Sequence, residues 1–218
     1  EVIDYRNPSD FNNGNCTDHE GRIIRCQHGL RRVIREEKNG KITVIADNYN
    51  DKKLNSPNDV AVSKLGNIWF TDPPYGILTN QEGHKSESEQ DGNNLFMVDK
   101  DFKIKKINAK FDKPNGLAFS PNGKYLYVAD SGAANPGNFD LSRPHNIQVF
   151  ELDDDENIIS NKIFAEIKDG FPDGMTVDVN GNLFVCDPNG EKIHIFESSS
   201  NYIGTVSYTH LTLPTTRL

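Results

Sequence analysis

Three short runs in this 218-residue chain set an amide or a carboxylate one residue after a proline and eight residues before a glycine. They are Pro57-Asn58-Asp59 with Gly66, Pro114-Asn115-Gly116 with Gly123, and Pro172-Asp173-Gly174 with Gly181. A fainter copy lacks the proline but keeps the spacing, from Asn13 to Gly21. Side-chain carbonyl and carboxylate oxygens that meet at one point are what a hard divalent cation such as Ca²⁺ takes. A cation held that way polarises a carbonyl and lowers the pKa of a bound water, which suits the opening of an ester or a lactone. The same tripeptides also serve as ordinary turn residues entering a strand, and the spacing alone leaves both readings open.

The elements that must position these residues follow from the same repeat. After each glycine comes a β-branched or aromatic run: Asn67 to Asp72, Tyr125 to Asp130, Asn182 to Asp187 and, in the faint copy, Arg22 to Cys26. Two such runs joined by a glycine turn predict a β-hairpin. Further strand-like pairs lie between the copies, such as Arg32–Arg35 and Lys41–Ile45 around Asn39-Gly40. The unit is therefore four strands, the size of one propeller blade. No sustained 3.6-residue apolar period is present, so helices should be minor.

Hairpin geometry places Asn58 beside Asp72, Asn115 beside Asp130, Asp173 beside Asp187 and Asn13 beside His28, all at one mouth. Radial packing then brings Asn13, Asn58, Asn115 and Asp173 to the axis, beneath the polar loops 73–94 and 131–145. His28 and Tyr75 are candidate substrate contacts, with a structural histidine and a packed turn tyrosine as the plainer alternatives. His145 lies in a loop within reach of the same pocket. Asp72, Asp130 and Asp187 are expected to anchor loop amides, Trp69 to sit in the core, and Asp153-Asp154-Asp155-Glu156 to form a solvated turn. Cys16, Cys26 and Cys186 read as structural thiols.

Composition bounds the function. Lys and Arg number 24 against 32 Asp and Glu, a net charge of −8, which argues against nucleic acid or an anionic membrane as partner. With 35 % apolar and 26 % charged residues the chain reads as soluble and globular. No apolar run approaches a membrane span, and residues 1–10 lack the pattern of a signal peptide. There is no Gly-x-Ser-x-Gly elbow, which disfavours a serine hydrolase. A propeller that binds a small molecule or a partner without catalysis, or an esterase of other range, are the rival readings.

Longer strings carry a specific resemblance. Leu54 to Val60, Trp69 to Ile77, Lys113 to Ser120, Gly170 to Met175 and Cys26 to Val33 closely resemble the gluconolactonase branch of the SMP-30/gluconolactonase/LRE family. The resemblance runs from about residue 1 to 206. It implies an all-β, six-bladed propeller, of which blades two to five, about four blades, lie in residues 1–206, with one divalent cation on the axis and hydrolysis of a sugar lactone to the aldonic acid. By position, Asn58, Asn115 and Asp173 match metal ligands, Asn58 also a substrate contact, and Asp173 also the carboxylate that serves as general base. Gln27 stands where the family more often has Glu, and Ser56 where some relatives carry a substrate-binding Arg. The family's Glu-Gly-Pro ligand motif does not occur in this chain. Residues 207–218 resemble translated adapter or vector sequence, and the chain is expected to be truncated at both ends, so that by itself it binds a cation weakly, is poorly soluble and is inactive.

Overall fold

The computed structural model describes residue 5 and residues 7–135 and 138–207. Among these, the strands form four four-stranded antiparallel sheets in a propeller arrangement, with almost no helix. The first blade is β1 (Asn12–Thr17), β2 (Ile23–Gln27), β3 (Arg32–Glu36) and β4 (Ile42–Ala46), followed by a small ribbon, β5 (Asn48–Tyr49) and β6 (Lys52–Lys53). The second is β7 (Val60–Val62), β8 (Ile68–Asp72), β9 (Asn94–Val98) and β10 (Ile104–Lys106), with helix α1 (Tyr75–Leu78) between β8 and β9. The third is β11 (Pro114–Phe119), β12 (Tyr125–Asp130), β15 (Asn146–Leu152) and β16 (Ile158–Glu166), interrupted by the ribbon β13 (Ala134–Asn135) and β14 (Asn138–Phe139). The fourth is β17 (Met175–Val177), β18 (Leu183–Asp187), β19 (Lys192–Phe196) and β20 (Tyr202–Ser207). The strands β1, β7, β11 and β17 are innermost and contact one another in that order. Residues 208–218, nearly all of the segment read as non-native, lie outside the described residues.

The turn that closes each inner hairpin explains the repeated glycine. Gly21, Gly66, Gly123 and Gly181 all take φ between 72° and 87°, a left-handed conformation that a side chain resists. Three residues earlier, Asp18, Ser63, Ser120 or Asp178 accepts the glycine N–H on its carbonyl. The side-chain oxygen of the same residue accepts a second backbone N–H across the turn, from Arg22, Asn67, Tyr125 or Asn182.

The core lies between blades, and period-two alternation divides each strand between two interfaces. In β8, Phe70 faces the first blade with Ile24, Val33 and Phe96, whereas Trp69 faces the third with Leu117, Leu126 and Phe150. In β12, Leu126 and Val128 face the second blade and Tyr127 the fourth. Strands of the middle blades are buried on both faces, which is why Ile68-Trp69-Phe70 reads as a continuous apolar run.

Glu156 departs from the sequence expectation of a solvated acidic turn. It is buried and reaches across to the second blade, accepting from the Leu65 N–H at 3.2 Å, the Asn67 amide at 2.9 Å and the Trp69 indole N–H at 3.4 Å. Asp153 does form the expected turn, capping the N–H groups of Asp155 and Asn157. The three cysteines are free thiols, and burial pushes that of Cys16 up to about 12.

Candidate active site

Each predicted mouth residue sits on a β-bulge. In the second blade Thr71 faces two residues: its carbonyl accepts from the Asn58 N–H at 2.9 Å, and its N–H donates to the Asp59 carbonyl at 3.1 Å. Cys186 does the same with Asp173 and Gly174 in the fourth blade. In the first and third blades the register shifts by one residue at Asn13-Gly14 and at Asn115-Gly116. A bulge turns one side chain out of the pleat and is a recurrent way to aim a residue at a site.

The bulges also explain the residue that follows. A Cβ on Gly14 would lie 2.5 Å from the Asn58 carbonyl oxygen, and one on Gly116 would lie 2.3 Å from that of Asp173. The inner strands are that close because the Gly14 N–H donates to the Asn58 carbonyl at 2.7 Å. In the second blade the following residue is Asp59 instead of glycine. Its carboxylate accepts the Leu117 N–H of the third blade at 3.1 Å, and burial raises it to about 6, while the Leu117 and Val60 N–H groups oppose the shift.

Asn13, Asn58, Asn115 and Asp173 line one cavity of about 470 Å³, together with Phe11, His28, Tyr75, Glu82, Ala134 and Phe171. The convergence expected from the repeat is therefore present, and both covering loops contribute, Tyr75 and Glu82 from one and Ala134 from the other. The size falls in the range of small-molecule sites. Burial raises the Asp173 carboxyl above its ordinary value, and the Asn115 side chain beside it pulls the other way. The Tyr75 hydroxyl is buried next to Ser131 and Asn115 without completing a hydrogen bond to either, and burial first, then Asp173 and Asp130, push it up. Among the described residues no three His, Cys, Asp or Glu side chains form a metal cluster; the converging oxygens belong mainly to amides.

His28 is buried with both ring nitrogens engaged, Nδ1 at 3.1 Å from the Glu82 carbonyl and Nε2 at 3.1 Å from the Asn13 amide. His145 stays outside the cavity lining, its Nδ1 on the Arg143 carbonyl at 2.8 Å. Ser56 is fully buried: its hydroxyl donates to the Pro73 carbonyl at 2.6 Å and accepts the Gly76 N–H at 2.9 Å, so it shapes the turn that carries Tyr75. Gln27 uses both ends of its amide, donating to Asp10 at 3.1 Å and accepting from Arg32 at 2.7 Å.

The aspartates that end the second strands are anchors, as expected. Asp72 accepts the Asn55 N–H at 2.8 Å, Asp130 those of Asp112 and Lys113 at 2.9 Å, and Asp187 those of Phe171 and Gly190. Sequence reasoning missed one clamp, the buried Lys113. Its ammonium donates to the Ala134 carbonyl at 2.6 Å and ties the β13 ribbon down beside the cavity. A lysine directly before Pro114-Asn115 was the available signal.

Comparison with known proteins agrees with this architecture. The model of the SMP-30/Gluconolactonase/LRE-like region matches residues 3–216. A gluconolactonase of Zymomonas mobilis is 34 % identical over 212 residues, which cover 93 % of this chain and 55 % of that protein. The solved structure of a gluconolactonase from Xanthomonas campestris superposes with a TM-score of 0.79 at 32 % identity, over 91 % of this chain and 62 % of that one. A calcium-binding protein, regucalcin, from Agrobacterium tumefaciens shares the fold with a TM-score of 0.67 at 16 % identity, over 90 % of this chain and 60 % of that one. The chain thus spans between half and two thirds of the length of these relatives. By its family match and its identity to the Zymomonas enzyme, the chain belongs to the SMP-30/gluconolactonase/LRE-like family.

Proposed function

We propose that the protein hydrolyses a sugar lactone to the corresponding aldonic acid. The observation that carries this reading is Asp173, the carboxylate among the four mouth residues, facing a cavity that Asn13, Asn58, Asn115 and Tyr75 also line, in a chain related to gluconolactonases. Asp173 takes the proton of the attacking water at its carboxylate. Asn115 beside it orients that carboxylate. Tyr75 offers its otherwise unpartnered O–H to the substrate, and the loop bearing Ala134 and the Tyr75 turn line the cavity beside it.

The donor set suits a hard divalent cation, Ca²⁺ foremost, because its oxygens are amide and carboxylate and one hydroxyl in the cavity has no partner. Asn58, Asn115 and Asp173 would hold it. When bound, such an ion supplies Lewis-acid polarisation of the lactone carbonyl.

The test is hydrolysis of sugar lactones and aryl esters with and without EDTA. Acid release from sugar lactones that stops on chelation and returns with Ca²⁺ is the expected result. Turnover of aryl esters alone points to an esterase, no turnover to a binding propeller, and chelator-insensitive turnover removes the cation from the proposal.

A further inference from the structure

His28 follows Gln27, the last residue of β2, and so lies one residue past the place where Asp72, Asp130 and Asp187 end their strands; its ring bonds a carbonyl and an amide side chain and anchors no backbone N–H. Its Nδ1 meets the Glu82 carbonyl, and a carbonyl only accepts, so Nδ1 carries a proton. Burial lowers the pKa of the ring, opposed by the Glu82 bond, so at neutral pH the imidazole is neutral and has one N–H. Nε2 is then an acceptor, and Asn13 must turn its NH₂ toward it. The base of the ring packs against Gly76, where an added Cβ would lie 2.6 Å from the His28 Cβ and 2.8 Å from its Cγ, and the two ring bonds fix its orientation. With its NH₂ committed, Asn13 holds its carbonyl oxygen in one orientation, free of hydrogen bonds among the described residues and on the cavity wall.

We infer that Asn13 Oδ1 accepts a hydroxyl of the sugar ring, and that His28 is the positioning residue that decides which end of the Asn13 amide the substrate meets. The inference rests on the lactone reading and deepens it. A sugar lactone differs from a plain lactone in its hydroxyl donors, and Asn58, Asn115 and Asp173 are assigned to the reacting end. Of the four mouth residues, Asn13 is the one whose acceptor is not assigned to the reacting end, and it shares the wall of the cavity with Asn12, Gln81 and Glu82.

Two measurements test it in the full chain. Long-range proton–nitrogen correlation on histidine-labelled protein reports the His28 tautomer directly; the Nδ1–H form is expected, and the Nε2–H form overturns the assignment. In steady-state kinetics, Asn13→Ala should lower the kcat/KM preference for gluconolactone over unsubstituted valerolactone about tenfold, mainly through KM, and His28→Ala should shift the preference the same way by a smaller factor. An unaltered preference in Asn13→Ala, with both substrates slowed alike, overturns the inference while leaving the lactonase reading in place. Turnover of neither lactone by the unmodified protein overturns both.

Discussion

Three of the four inner hairpins carry two sets of polar side chains at one mouth, and the two sets have opposite fates. Asn58, Asn115 and Asp173, at the bulges, face the open cavity. Asp72, Asp130 and Asp187, fourteen or fifteen residues later on the paired strands, are buried and hold the N–H groups of the connection leading into their own blade. Residue type does not separate these sets, since an aspartate occurs in each. What separates them is the backbone: a bulge aims one side chain at the axis, whereas a regular strand end turns the other toward a loop with unsatisfied donors. A carboxylate that holds backbone N–H groups away from the cavity serves the fold, even where, as at Asp72 Oδ1, one oxygen has no partner, and one that faces the cavity is available to a ligand.

The contrast can be broken at its sharpest point by removing one carboxylate from each set. Asp173→Asn should lower lactone hydrolysis by about 10²- to 10⁴-fold, with a thermal midpoint close to that of the unmodified protein; pH-stat assays and a melt read both. Asp72→Ala should act the other way round, costing about 3 kcal/mol in denaturant unfolding because the Asn55 N–H loses its buried acceptor. If Asp72→Ala instead proved neutral in stability, the distinction between the two sets would collapse.

Titration sharpens the same comparison. Burial raises Asp72 to about 7, with the Asn55 and Ser56 N–H groups opposing. Its folded pKa lies above the unfolded value near 4, so its contribution to stability is complete below about pH 4 and is lost as the pH rises toward 7. Asp18 and Asp178, held below the ordinary value by hydrogen bonds to neighbouring residues despite some desolvation, act in the opposite sense and lose their contribution on further acidification. Unfolding followed in urea should therefore show greater stability at pH 5 than at pH 8, and Asp72→Asn should flatten that slope. The smallest effect belongs to a carboxylate in neither set: Glu156→Gln should cost about 1 kcal/mol, since its oxygen still accepts from Asn67 or Trp69.

Much of this arrangement was legible in the residues. The distance from Asn58 to Gly66, repeated at Asn115 and Asp173, fixed the hairpins and their shared mouth, because a left-handed turn glycine leaves a local signature. The bulges were not legible. Gly14, Gly116 and Gly174 follow the mouth residues, but only the close approach of adjacent inner strands shows why the first two must be glycine. Glu156 escaped for a related reason: its partners are 87 to 91 residues away, and in a run of four acids nothing local distinguishes the one that is buried. Ser56 illustrates the limit of matching positions, since its hydroxyl is spent on the Tyr75 turn.

The division of each middle strand between two cores has a consequence for how the site comes into being. Phe70 and Trp69 are neighbours in the chain but belong to different interfaces, so the blades form a nearest-neighbour series, in which each junction opens or closes by its own local equilibrium. The cavity is walled by residues from all four blades, and it is intact only in molecules in which all three junctions are shut. Its population is thus the product of three closing equilibria, and a ligand held there draws on every one of them at once. Binding at the mouth should then slow hydrogen exchange as far away as the Trp69 and Tyr127 strands, making the pocket a reporter of the continuity of the whole stack.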